Sequence, residues 1–138
     1  MKKFVAVLLV LILIVSISAS AFAVTYPTVT RRSALTQSVR RGYTAYFKFY
    51  LKSGSYTRRS GYYRSRFDLN IYRNYNNRKY ASGMWGFTGS FNFTTKWSVP
   101  YSTPKGRYNV IYRTCYRNSI YSNNWYYRNQ YVCYLNVK

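Results

Sequence analysis

Apolar side chains recur at every second position over much of this chain, the spacing of strands with one buried face. In residues 43–52, Ala45, Phe47, Phe49 and Leu51 alternate with Tyr46, Lys48 and Tyr50, so the odd-numbered set faces a core and Lys48 faces solvent. Residues 62–73 repeat the pattern, with Phe67, Leu69 and Ile71 on one face and Asp68, Asn70 and Tyr72 on the other. Phe91, Phe93, Thr95, Trp97 and Val99 give a third alternation, closed by Pro100. Residues 80–85 read as a shorter strand, and 107–116 with 126–137 as a final antiparallel pair turning around Ser122, Asn123 and Asn124. A first strand at 26–31 carries Pro27, which confines it to a sheet edge. Residues 33–39, between Arg31-Arg32 and Arg40-Arg41, read as a loop. No stretch after residue 23 has a helical stripe. About seven short strands separated by Gly, Asn, Ser and Pro clusters predict an all-β antiparallel sandwich rather than a barrel.

The first 23 residues follow a different rule. Lys2 and Lys3 precede an apolar run over 4–17, and Ala21 and Ala23 place small residues at a cleavage site, the layout of a secretory signal peptide. The expected division is therefore a leader at 1–23, a basic N-terminal segment with an edge strand at 24–41, and the sandwich at 42–138. In an exported chain the two cysteines, Cys115 and Cys133, predict one disulfide. The bridge would close a 19-residue loop, worth roughly 3 kcal/mol in the chain-entropy picture. Set directly across the last hairpin, the pair would centre its turn on Asn124. Facing complicates this: Cys115 alternates with the core set Tyr108, Val110 and Tyr112, whereas Cys133 shares a face with Leu135 and Val137. A bridge thus requires a bulge or a geometry that is not directly cross-strand.

Charge narrows the function. The sequence has 22 Lys and Arg, one acid and no histidine. Without the leader's two lysines, 20 cations face Asp68 alone, a side-chain net charge of +19. Paired-carboxylate hydrolysis and Ser-His-Asp or Cys-His catalysis cannot be assembled from this inventory, nor can a zinc site. No catalytic activity, cofactor or small-molecule substrate is expected, and Asp68 reads as a counter-ion for neighbouring arginines. With 19 Tyr, 8 Phe and 3 Trp, the core must be largely aromatic.

Three runs interleave cations with rings. They supply Arg58, Arg59, Tyr62, Tyr63, Arg64 and Arg66; then Tyr72, Arg73, Tyr75, Arg78, Lys79 and Tyr80; then Tyr126, Tyr127 and Arg128. Guanidinium groups grip phosphate and carboxylate and stack on rings, which suits an anionic polymer or cell-envelope surface: teichoic acid, an acidic glycan or extracellular nucleic acid. The expected location is secreted or cell-surface associated. The competing structural reading is an even coat, because outward strand positions favour Tyr, Thr and Arg anyway. Other functions compatible with the composition are activity on an anionic membrane, binding of neutral carbohydrate on exposed Trp85, Trp125 and paired tyrosines, and a matrix component cross-linked through tyrosine.

Trp97-Ser98-Val99-Pro100, followed by Pro104-Lys105-Gly106-Arg107-Tyr108-Asn109-Val110, resembles the end of strand E and the start of strand F in bacterial immunoglobulin-like domains of secreted and surface proteins. The resemblance covers the second half of the chain and lacks the early cysteine of the antibody pattern. It implies that Tyr108 closes a tyrosine corner onto nearby backbone and that Val110 is the next core position. It implies binding, spacing or adhesion rather than chemistry.

Overall fold

A computed structural model describes residues 23–73 and 77–138. The expected leader, up to residue 22, and Tyr75 of the second basic run lie outside the described residues. Eight strands follow in order: β1 (Thr28–Arg31), β2 (Thr36–Val39), β3 (Thr44–Lys52), β4 (Ser65–Arg73), β5 (Lys79–Phe87), β6 (Ser90–Ser98), β7 (Gly106–Tyr116) and β8 (Tyr126–Val137). They form a three-stranded sheet, β1-β3-β6, facing a five-stranded sheet, β2-β8-β7-β4-β5. All neighbours are antiparallel except β2 and β8. This is the all-β, immunoglobulin-like antiparallel sandwich expected, with eight strands in place of about seven.

Alternation builds the core as the pattern requires. β3 buries Ala45, Phe47, Phe49 and Leu51, β4 buries Phe67, Leu69 and Ile71, and β7 buries Tyr108, Val110 and Tyr112. The Phe49 ring lies 4.9 Å from Phe67 and 4.8 Å from Tyr112 across the sheets. Such tilted aromatic contacts add to the area each ring removes from water, and they hold a chain whose surface charge repels itself. Tyr108 is fully buried and its Oη donates to the Pro104 carbonyl at 2.6 Å, closing the corner that leads the chain into β7.

The expected loop at 33–39 is corrected. Thr36 to Val39 pairs in parallel with Tyr134 to Val137, so the N-terminal segment supplies an edge strand to each sheet. With Val39 its one fully inward apolar residue, β2 is too short to carry a readable period.

The disulfide is also corrected, since both cysteines are free and buried. Cys133 pairs across the hairpin with Val110, and Cys115 with Tyr127. Five residues of β7 therefore separate the two positions, roughly 16 Å at strand rise, against about 4–7 Å between the Cα atoms of a bridged pair. They also occupy opposite faces. Cys133 belongs to the core, whereas Cys115 points outward and its Sγ donates to Asp68 Oδ2 at 3.3 Å. A register shift does occur between Arg113 and Cys115, but its extra residue lies on β8, so β7 keeps its alternation against β4 and Cys115 stays on the outer face. Burial pushes the Cys115 thiol up to about 12, with the Asp68 charge adding to it, and burial pushes Cys133 up to about 11.

Candidate functional site

β4 distributes the basic-aromatic runs. Its start, Ser65, pairs with Tyr116 of β7, and its end, Arg73, pairs with Tyr108. The first and third runs therefore meet at one end of the sandwich, where residues 53–64 and 117–125 connect strands. The second lies at the opposite end, roughly 20 Å from Arg66 by strand rise to Tyr72. There Lys79 sits over Tyr72 at 5.9 Å and Arg78 over Tyr80 at 5.3 Å, while Arg73 donates to the Lys105 carbonyl. Tyr80 packs edge-on against core Tyr108, a structural rather than a ligand-facing placement.

The shared end is a lattice of stacked cations. Arg58 lies over Tyr63 (5.3 Å), Arg64 over Tyr56 (5.2 Å), and Arg128 over Tyr26 (4.1 Å). Arg66 and Arg117 take Trp125 at 4.5 and 4.7 Å, and Arg113 takes Tyr127 at 3.4 Å. Behind them Tyr26, Tyr56, Tyr116 and Tyr126 form a continuous ring stack. Burial, then the neighbouring Tyr116 and Tyr26, pushes the Tyr56 phenol up, so it stays a neutral hydroxyl. The loops are tied by their own cations: Arg64 donates to the Asn118 carbonyl, and Arg117 to those of Tyr63 and Ser122. Arg59 and Tyr62 form a bridged turn through Ser60 and Gly61, both at positive φ. Tyr62 and Arg59 are exposed at its tip.

Asp68 is the counter-ion the sequence implied. It is 3% exposed. Arg66 Nε and Nη2 reach its two oxygens at 2.7 and 2.9 Å, and Arg113 Nε is 3.6 Å away. The chain's one acid is thus committed to two arginines on the outer face of the five-stranded sheet. The remaining cations have no side-chain carboxylate to meet.

A cleft extends from this end. β2 pairs only with the second half of β8, so among the described residues the first half has no strand on its β1 side. A depression of about 410 Å³ opens there, lined by Tyr26, Lys52, Arg128 and Tyr131 among others. Past Tyr131 it continues as an open groove along Arg31, Gln130 and Val132. Tyr134 N–H donates to the Leu35 carbonyl and Lys138 N–H to that of Val39. Strand alternation directs the backbone groups of Gln130 and Val132 to that same edge, which no described strand pairs here. Arg31, Lys52 and Arg128 put three cations along the cleft and Asp68 does not line it.

Sequence reasoning singled out Arg128 but missed Arg31, Lys52 and Arg117. Its tryptophan platforms are corrected. Trp85 packs inward against Phe67 and Phe93, and Trp125 is covered by two guanidiniums. Both rings are part-buried rather than exposed.

No protein-family model matches the chain, and no curated protein matches it. Solved structures do. A crystal structure of the CARDB domain of a Pyrococcus furiosus protein, in complex with di-metal ions, is 17% identical and has a TM-score of 0.51. That match covers 84% of this chain and 96% of the other. A solution structure of the same domain gives 18% identity and a TM-score of 0.47 over 81% and 95%. Spo0M, a sporulation control protein from Bacillus subtilis, matches at 14% identity and a TM-score of 0.41, over 85% of this chain and 50% of the other. Among the described residues no three His, Cys, Asp or Glu gather as metal ligands, so the di-metal ions remain a property of the archaeal domain. At these identities the likeness is one of fold, and the chain is an immunoglobulin-like β-sandwich similar in fold to a CARDB domain.

Proposed function

We propose that the protein is a secreted, noncatalytic module that holds an anionic polymer of the cell surface along the β1–β8 cleft and against the arginine-stacked end beside it. The observation that carries this reading is the cleft, which gathers Arg31, Lys52 and Arg128 around Tyr26 and Tyr131, while the single acid is buried against Arg66 and Arg113 elsewhere. Stacking on rings holds guanidinium planes in fixed orientations, which lowers the ordering cost of gripping a phosphate or carboxylate. Tyr26 and Tyr131 beside them are part-exposed and add hydroxyl groups for the polymer's polar atoms.

Residues 24–138 are to be titrated with single-stranded DNA, a heparin-like glycan and teichoic acid between 50 mM and 1 M salt. Each polyanion contact releases about 0.7–0.9 of a counterion. Three to six contacts then weaken binding roughly tenfold to a thousandfold between 50 and 200 mM. Elution from all three at the lowest salt, or affinity independent of salt, overturns the reading.

A further inference from the structure

The outer face of the five-stranded sheet has a second depression, of about 330 Å³, which shares Gln130 with the open groove but none of the cleft's three cations. We propose that it is a binding site for a neutral, hydroxylated sugar ring. Its walls come from adjacent strands in register: Asn70 sits opposite Ile111, Tyr72 opposite Asn109, and Gln130 opposite Arg113. Small-molecule sites run from roughly 300 to 1,000 Å³, so this one suits one or two rings. Carboxamides both donate and accept, as vicinal hydroxyls require of a partner, and Asn70, Asn109 and Gln130 bring three of them around the apolar Ile111. Tyr72 adds an aromatic wall.

Two observations point to an occupant and to its charge. Asn109 Oδ1 is buried without a hydrogen-bond partner among the described residues, and such a desolvated acceptor gains when a turn of the part-exposed side chain brings it to a donor in the cavity. A sugar hydroxyl is such a donor. Arg113, the one cation of the lining, lies on Tyr127 at 3.4 Å and has its charge offset by Asp68 at 3.6 Å, a contact too long for a hydrogen bond, so its buried Nε–H also lacks an acceptor among the described residues, which a sugar hydroxyl oxygen can supply. The cavity is therefore amide-dominated and electrostatically muted, which favours a neutral ligand over the polymers that suit the cleft.

The test uses residues 24–138 with uniform 15N labelling, in 1 M NaCl, where polyanion contacts are screened. The probes are neutral methyl glycosides and disaccharides of glucose, galactose, mannose and N-acetylhexosamine type, each to 100 mM. At least one is expected to shift the side-chain amide signals of Asn70, Asn109 and Gln130 saturably. Its affinity should change by less than twofold between 0.1 and 1 M salt and fall about fivefold in Asn109→Ala. Gln130→Ala, at an exposed position where loss of fold is not a concern, should weaken binding similarly. No saturable shift with any probe, or a shift unchanged in both variants, overturns the proposal. Polyanion binding is measured separately on the same samples, so failure of one site leaves the other's result standing.

Discussion

Replacing Asp68 with asparagine keeps the side chain's volume and removes only its charge and one acceptor pattern. In the native fold that charge meets Arg66 at 2.7 Å and Arg113 at 3.6 Å, with side-chain exposures of 16% and 28% for the arginines and 4% for the aspartate. Breaking a buried pair costs about 3–5 kcal/mol because it strands the partner charge. Both guanidiniums here retain some contact with water and a stacked ring, Trp125 or Tyr127, so the expected cost is lower, about 2–3 kcal/mol. For a domain of this size each kcal/mol moves the midpoint by roughly 4 °C, giving a fall of about 10 °C in Tm for Asp68→Asn. Thermal and urea unfolding followed by tryptophan fluorescence measures it, with an unchanged m-value showing that the folded state keeps its compactness. A loss under about 0.5 kcal/mol would refute the view that one buried carboxylate anchors this face against its own arginines.

The free thiols predict chemistry that a disulfide forbids. An aromatic disulfide reagent at pH 7.5 should find no reactive thiol in the native protein and two per chain in denaturant; none in denaturant would restore the bridge and reject the β7–β8 register. Both thiols lie above their ordinary value of 9.0 in the fold, so the folded chain holds these protons more tightly than the unfolded one. Stability is then level below about pH 9 and falls as pH rises towards 11–12, a decline that Cys115→Ala should lessen in urea melts at pH 8 and 10. Tyr108→Phe removes the hydroxyl that bonds the Pro104 carbonyl at 2.6 Å and should cost about 1–2 kcal/mol; a neutral substitution would mean the corner contributes nothing.

The strands that sit against the core were the legible ones. Ala45, Phe67 and Tyr108 each begin an alternation long enough to show its period, and Trp97 to Val110 carried the corner. β2 was not legible, because its place is set by pairing with β8 rather than by its own apolar pattern. The last antiparallel pair was legible and only its cysteines were misread, for a physical reason: an export leader made pairing them attractive, and the facing conflict between Cys115 and Tyr108 was the sign that they do not pair. Asp68 could be read as a counter-ion from its isolation among arginines. The cleft could not. Tyr26, Lys52 and Arg128 are distant in sequence and meet only because β2 leaves half of β8 uncovered.

The central claim is that the cleft, and not an even coat of charge, holds the polymer. It is tested most directly by two variants that each remove three cations, compared on one anionic polymer across a salt series. Arg31→Ala with Lys52→Ala and Arg128→Ala empties the cleft; Arg40→Ala with Arg41→Ala and Lys105→Ala removes equal charge from the opposite end. The cleft variant should lose about 2–3 from the slope of log K against log salt, at roughly 0.7–0.9 per contact, and the control variant less than about 1. Equal losses in the two would contradict the account and assign binding to the surface charge as a whole.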